Sequence, residues 1–570
     1  MMSNDALPKP SPVEGIKTSS RFLRGTLAEE LASDADHFAE ESKQLLKFHG
    51  SYQQEDRDAR KKRDKPAGKA YMFMIRLKLP GGKLTAEQYL AMDDICGKYA
   101  NGTLRLTTRQ SIQFHGILKG NLKNSIAAMN EAFVSTLGAC GDVNRNVISC
   151  PAPTGDAVRT QMQELADQVA AHLAPRAGGG AYHEIWLNGE KQNSFPEPEV
   201  AEPIYGNIYL PRKFKTAFAL PHDNCTDILA QCLGFLAITE NNKPVGYNLY
   251  VGGGQGNTNS KPDTYPLLAQ PVCFLEPDEV IAASEAVVRL YKDHGNRSDR
   301  KRARLKYVMK DWGVEKFRDV FARDYFKREL KPLKDAPITG LDLHLGWHRQ
   351  GDGKHFLGIS VENGRIKDEG SYRLRSGLRA IVGKFKCIVR ISAQQDILLG
   401  DIAAADKSAI DSMLNEYGIP KPENLSMLQK WSMACPAIPT CGLAISESER
   451  SLPGLVDQVE PILAELGLQD EPISLRMTGC PNGCARPFQS EIGLVGRSGS
   501  KYTLYIGGDS YGRRINVEVQ DSVPIEQLAG KLKNVFAAFK AERQNGELFG
   551  DYCHRVGLMK LQELVGPVLK

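Results

Sequence analysis

Residues 105–117 read RLTTRQSIQFHGI, and residues 390–402 read RISAQQDILLGDI. Laid over one another, Arg105 meets Arg390, Gln110 meets Gln395 and Ile112 meets Ile397, at an offset of 285 residues, half of the 570-residue chain. A second likeness joins YNLYVGGG (247–254) to YTLYIGG (502–508). An internal repeat of this size implies two related halves packed face to face about a pseudo-twofold axis, with a cleft between them. The copies have diverged: Arg109 faces Gln394 and His115 faces Gly400, which leaves the polar chemistry of this stretch in the first half.

Alternate residues of a strand face the same way. If LRLTTRQSIQFHG is extended throughout, Arg105, Thr107, Arg109, Ser111, Gln113 and His115 form a polar row opposite Leu104, Leu106, Ile112 and Phe114. YMFMIRLKL puts Tyr71, Phe73, Ile75, Leu77 and Leu79 on a core face and Arg76 and Lys78 on the other. LPRKFKTAFAL presents Lys213 and Lys215 together, with Phe214 opposite, and NRNV adds Arg145. Taken singly, each row reads as a solvated sheet face. Together they form a site for a polyanion or several anions: Arg pairs with planar carboxylates in bidentate fashion, and Lys is a compact charge and a proton donor. Helical patterns such as TAEQYLAMDDICGKYA intervene between the strands, so the class is mixed, α+β or α/β.

Residues 1–69 read as an extended N-terminal arm with a helical stretch near LAEELASDADHFAEESKQLLKF and a solvated charged run, QQEDRDARKKRDK. Lys and Arg (73) nearly balance Asp and Glu (68), a net charge of +5, which argues against nucleic acid as the partner. The first residues lack the apolar core of a signal peptide, and no uninterrupted apolar run reaches the roughly 18 residues of a membrane span. Twelve cysteines are far too few for a disulfide scaffold. A cytoplasmic, reducing compartment is expected, where grouped cysteines bind metal or do redox chemistry instead of pairing.

Four cysteines form a spaced set. CPAIPTC supplies Cys435 and Cys441, and after 38 residues TGCPNGCARP supplies Cys480 and Cys484. Structural zinc pairs usually have two to four intervening residues. The five-residue gap and the flanking prolines fit an iron–sulfur site better. Gly483, before Cys484, lets something flat and bulky approach the backbone. Cys96, Cys232 and Cys553 are scattered and read as buried hydrophobes. His49, His294, His344, His348 and His355 show no mutual metal spacing. VGGGQGN fails the dinucleotide pattern at Asn257, and NRSDRKRARLK (296–306) reads as a solvated helix face or an ion-pair network.

The quartet resembles that of the sulfite/nitrite reductase hemoprotein family. FHGSYQQEDRD, GTLRLTTRQSIQFHG, GDVNRNV and YLPRKFK resemble its assimilatory sulfite reductase hemoproteins, from about Phe22 to near the C-terminus. The resemblance implies two ferredoxin-like half-domains (70–137 with 338–410) and two siroheme/Fe–S α/β domains, 138–337 for siroheme and substrate and 411–570 for the [4Fe–4S] cluster. It implies that Cys435, Cys441, Cys480 and Cys484 hold the cluster and that Cys484 is also the axial ligand of siroheme iron. Arg76, Arg145, Lys213 and Lys215 would bind sulfite and assist proton delivery. Arg105, Arg109, Arg212, Gln113, His115 and Asn482 would contact siroheme. The implied reaction is the six-electron reduction of sulfite to sulfide in cysteine biosynthesis, with electrons from an NADPH-oxidising flavoprotein subunit or ferredoxin. Ferredoxin-dependent nitrite reduction is the alternative, and a zinc-stapled nucleic-acid-binding protein is the reading from another class.

Overall fold

A computed structural model describes residues 8–62, 68–176, 186–187, 190–191, 202–259 and 261–568. The end of the charged run QQEDRDARKKRDK lies outside them. Leu104, Leu106, Ile112 and Phe114 are fully buried, each contributing at most about 1.5–3 kcal/mol by leaving water. The stretch is not one continuous strand. It turns at residues 108–110, with Gln110 in the left-handed region (φ +50°), to form a hairpin of Leu104–Thr107 and Ser111–Ile117. Directly opposed residues of a hairpin share a face. Arg105 opposes Gln113 and Thr107 opposes Ser111, so the expected polar and apolar rows survive the bend.

The second copy folds the same way. Arg390 opposes Leu398 as Arg105 opposes Gln113, and both pairs shift by 285. The left-handed residues are repeated too: Gln110 (φ +50°) by Gln395 (φ +75°), and Gly116 (φ +77°) by Asp401 (φ +61°). Each hairpin lies in a five-stranded sheet whose last strand is borrowed. Arg365–Ile366 pairs with Leu104–Thr107, while Lys83–Leu84 pairs with Ile388–Ile391. This exchange locks the two half-domains together. Their equivalent helices, Ala86–Tyr99 and Leu374–Phe385, pack on each other, with Arg375 and Arg379 both paired to buried Asp93. Thr85 caps the first of them with a capping box.

The second likeness also folds as a repeat. Lys243–Val251 and Lys501–Ile506 occupy the same place in two sheets that are parallel at one end and antiparallel at the other. The first contains Thr216–Ala219, Leu233–Glu240, Lys243–Val251 and Gln270–Leu275. The second contains Ser432–Ala434, Leu475–Thr478, Ile492–Ser498, Lys501–Ile506 and Val517–Pro524.

The N-terminal segment departs from the expected arm. Leu23, Leu27, Phe38, Leu45, Leu46 and Phe48 join the main core, and Ser51–Glu55 pairs with Tyr71–Arg76 as the edge of the first sheet. Its helical stretch is two helices, Leu27–Ala32 and Glu40–Leu46. Among the described residues, no helix is long and apolar enough to cross a membrane.

Candidate functional site

Cys435 leaves the end of Ser432–Ala434, and Cys480 follows Leu475–Thr478, its parallel neighbour. Parallel pairing puts the carboxyl ends of these strands side by side, where open α/β sheets place their ligands. The Cys435 N–H donates to Met477 O at 3.2 Å. The Gly479 N–H donates to Cys435 Sγ at 3.3 Å, and Asn482 Nδ2 to Cys480 Sγ at 3.6 Å. Gly479 is fixed by crowding: a Cβ there would fall 2.5 Å from Ser446 O and 2.6 Å from Ala437 Cβ.

Cys435 and Cys480 are buried, whereas Cys484 is exposed. Burial and then the Cys484 charge push Cys435 and Cys441 upward, and push Cys480 up to about 12. Four thiols whose charged forms repel one another become stable thiolates around a cationic centre. Among the described residues, the one group of candidate ligands with donor atoms within 4.8 Å of one another is a different set, Cys150, Asp223, Cys225 and His344. The quartet is therefore spread too widely for a single tetrahedral ion, whose ligand atoms sit roughly 3.3–3.8 Å apart. It fits a multi-iron cluster.

Cys484 also looks the other way. Its charge acts on Arg76, Lys213 and Lys215. Backbone pairing assembles these cations: the Arg145 N–H donates to Phe214 O at 2.9 Å and the Phe214 N–H to Val143 O at 3.1 Å, which sets Asn144 opposite Phe214 and Arg145 alongside Lys215. The neighbouring charges acting on the two lysines are Arg109, Arg145, Arg212, Arg304 and Cys484, with no carboxylate among them. Burial, then Arg304, pushes Lys213 down to about 7. Burial, then Lys213, holds Lys215 well below the usual lysine range. Burial also lowers Arg212, and lowers Lys78 to about 8. Arg76 is raised, because Cys140, Tyr52 and Cys484 outweigh the cost of its burial; its Nη1 donates to Cys140 Sγ at 3.2 Å. Asp142 acts on Arg212, but among the described residues the charges acting on Lys213 and Lys215 include no carboxylate, and cations enclosed in this way make a cradle for anions supplied from outside.

The other expected contacts divide into two groups. Arg109 lies in the cradle, donating to Gln231 Oε1 at 2.7 Å and Thr216 O at 2.8 Å, while its buried Nε has no partner. Gln113, with its amide oxygen turned inward, accepts from Arg76 Nε at 3.1 Å. Asn482 sits against the cluster loop. Arg105 and His115 are committed elsewhere. The Arg105 guanidinium donates to Glu449 Oε2 at 2.8 Å and to Ala434 O at 2.7 Å. His115 Nδ1 lies 3.2 Å from Arg365 Nη1, and Arg365 donates to both oxygens of Glu449. Arg105 braces the segment entering Cys435 through Ala434 O, and His115 stands behind Arg365 in the same network.

Gly483 is also required by the chain itself. Its φ is +63°, and a Cβ would lie 3.1 Å from Gln255 Cβ and 3.2 Å from Phe488 Cε2, so backbone and packing select glycine. The glycine-rich stretch 252–256 is the surface on which this loop docks: the Asn257 N–H donates to Pro481 O at 3.0 Å. The run 296–306 forms a loop with ion pairs from Arg297 to Glu14 and Arg300 to Asp142 before the helix Leu305–Val320. Arg304 inside that run reaches the cradle, as do Tyr52 and Cys140 beside Arg76. The sequence singled out none of the three, since only tertiary packing brings them there. Arg486, two residues past Cys484, donates to Ala393 O at 2.8 Å and to Thr108 O at 3.4 Å, equivalent positions of the two hairpin turns. The cysteine loop is thus anchored to the middle of the pseudo-twofold pair.

A family model described as "Nitrite/Sulfite reductase ferredoxin-like half domain" matches residues 65–132 and 348–417. One described as "Nitrite and sulphite reductase 4Fe-4S domain" matches 169–330, the repeat copy without the quartet. The chain is 43% identical to the sulfite reductase [ferredoxin] of Synechococcus elongatus, over 99% of this chain and 92% of that one. It is 43% identical to the sulfite reductase [NADPH] hemoprotein beta-component of a Paenibacillus species, over 97% and 96%. The NirA protein of Mycobacterium tuberculosis shares the fold, with TM-score 0.76 at 22% identity, over 97% of this chain and 98% of that one.

Proposed function

The chain belongs to the nitrite and sulfite reductase family, and from that premise we propose that it is the hemoprotein of a sulfite reductase, taking sulfite, six electrons and eight protons to hydrogen sulfide and three waters. The observation that carries this reading is the double position of Cys484, whose charge acts on Cys435, Cys441 and Cys480 on one side and on Arg76, Lys213 and Lys215 on the other.

The residues fit the family's two cofactors. Cys435, Cys441, Cys480 and Cys484 would hold a [4Fe–4S] cluster, while Cys484, Arg109, Arg212, Gln113 and Asn482 would hold siroheme, the carboxylate-rich group that an unpaired Arg109 Nε awaits. When bound, the pair would supply stored electrons and an electron-accepting iron for the substrate. Arg76, Arg145, Lys213 and Lys215 hold the sulfite oxygens and offset the charge that builds on them. Lys213, with its Nζ poised to lose a proton near neutrality, hands protons to oxygens leaving as water. Gln113 and Cys140 keep the Arg76 guanidinium aimed. In this reading 138–337 is the substrate domain and 411–570 the cluster domain. Electrons come from another chain, an NADPH-oxidising flavoprotein or ferredoxin, in the cytoplasm, where all twelve cysteines stay unpaired.

The test is purification in air followed by a visible spectrum, iron and acid-labile sulfide analysis, and turnover of sulfite and nitrite with each donor. A coloured protein with both cofactors and a higher kcat/KM for sulfite is expected. A colourless protein, or one favouring nitrite, overturns the reading.

A further inference from the structure

Away from the quartet, Cys150, Asp223, Cys225 and His344 bring two thiols, a carboxylate and an imidazole together, with all four residues buried. We propose that these four side chains hold a zinc ion that ties three separated segments of the fold together.

The four donor atoms already stand close together, all within 4.8 Å of one another. Cys150 Sγ is 3.0 Å from Asp223 Oδ2 and 3.4 Å from His344 Nε2. Asp223 Oδ2 is 3.6 Å from Cys225 Sγ and 3.1 Å from His344 Nε2. A zinc ion bound at about 2.0–2.3 Å needs separations of roughly 3.3–3.8 Å, a small adjustment. The supporting contacts leave one atom of each residue facing inward. Asp223 Oδ1 is taken by the N–H groups of Cys225 at 3.2 Å and Asp342 at 3.1 Å, which frees Oδ2. His344 Nδ1 is backed by Asp342 Oδ2 at 3.4 Å, the carboxylate–imidazole arrangement that orients a metal-bound histidine. Two thiolates, one carboxylate and a divalent ion leave one negative charge, and the Arg159 guanidinium, whose charge acts on Cys150 and Asp223, offsets it.

Two sulfurs, one nitrogen and one oxygen in a closed shell suit zinc in a structural role, since no position is left for a substrate. The ligands come from three places. Cys150 follows the segment bridged to Ala217. Asp223 and Cys225 lie in the tight loop after Thr216–Ala219. His344 lies in the strap entering Gly346–Arg349, which is laid along that loop by the bond from Asn224 N–H to Gly340 O. His344 is itself in the left-handed region, φ +57°, a conformation that costs a non-glycine residue energy and persists only where its surroundings enforce it. The ion would join the substrate-side sheet to the second half-domain.

Zinc and iron are measured together in the cofactor-loaded protein after gel filtration in chelator, followed by zinc-edge X-ray absorption. The expected result is about one zinc per chain with sulfur at ~2.3 Å and nitrogen or oxygen at ~2.0 Å. Cys225→Ser and His344→Gln are each expected to lose that zinc while keeping the visible spectrum, which separates this site from the cofactor reading. Should either variant fail to fold, the absorption spectrum of the unaltered protein still decides. Zinc below about 0.1 per chain, a shell without sulfur, or a Cys150–Cys225 disulfide found by mass spectrometry overturns the proposal.

Discussion

The two hairpins share a register but not a load. In the first, Arg105 and the borrowed Arg365 converge on Glu449, which burial would raise but the two guanidinium groups hold down at about 2. At the equivalent place in the second, Arg390 stands beside the borrowed Lys83, which pairs with Asp167 at the half-exposed surface, and Arg390 Nε has no partner. One clamp is enclosed and braces the strand entering Cys435 through Ala434 O; the other opens to water at its Lys83–Asp167 pair. Duplication preserved the backbone, down to its left-handed residues, while the side chains specialised on the side where the cysteines dock.

The sharpest way to break this contrast is to remove one carboxylate from each clamp. Glu449→Gln leaves two cations facing each other and should cost about 3–5 kcal/mol in chemical denaturation. Asp167→Asn, at an exposed pair, should cost at most about 1 kcal/mol. Equal losses would mean that the two clamps are equivalent after all. The sign of the pH effect follows from the depressed carboxyl: the Glu449 contribution is complete above the ordinary glutamate range and is lost only as pH falls toward about 2.

Next in size is the cation cradle, which belongs to the first half alone. Lys215→Met should lower sulfite turnover about 100- to 1,000-fold with iron content and visible spectrum unchanged; unaltered turnover would remove Lys215 from the site. Transplanting charge the other way, Gln394→Arg buries a cation where the second turn offers Cys225 O to its present amide, and should cost about 2–3 kcal/mol in thermal unfolding. A neutral result would show that the second turn tolerates what the first requires.

The smallest effect is in pH. Anion binding favours protonated Lys213, which burial sets to titrate near 7. The KM for sulfite should therefore rise as pH climbs above about 7, by at most about tenfold per pH unit. Lys213→Arg keeps its charge and should flatten that rise, and the substrate's own titration is common to both proteins. Parallel profiles would exclude Lys213 as the titrating group.

Much of this was legible in the sequence where a periodicity or spacing is local. The repeat, the buried face of Leu104, Leu106, Ile112 and Phe114, and the grouping of the four cysteines all follow from neighbouring residues. The turn at Gln110 was not legible, because alternation continues through a hairpin whose opposed residues share a face. Arg105 and His115 have the same pattern as Arg109, yet their partners Glu449 and Arg365 lie hundreds of residues away. The same holds for Cys150 and His344, which only folding brings within 3.4 Å.

In the proposed reading one sulfur, that of Cys484, belongs to both the cysteine quartet and the cation cradle, and the variant Cys484→Ser removes it alone. The visible spectrum of the purified variant, recorded beside its circular dichroism, should have lost its long-wavelength bands while the fold persists, with no sulfite reduction. A variant with the full spectrum and normal turnover would contradict the account.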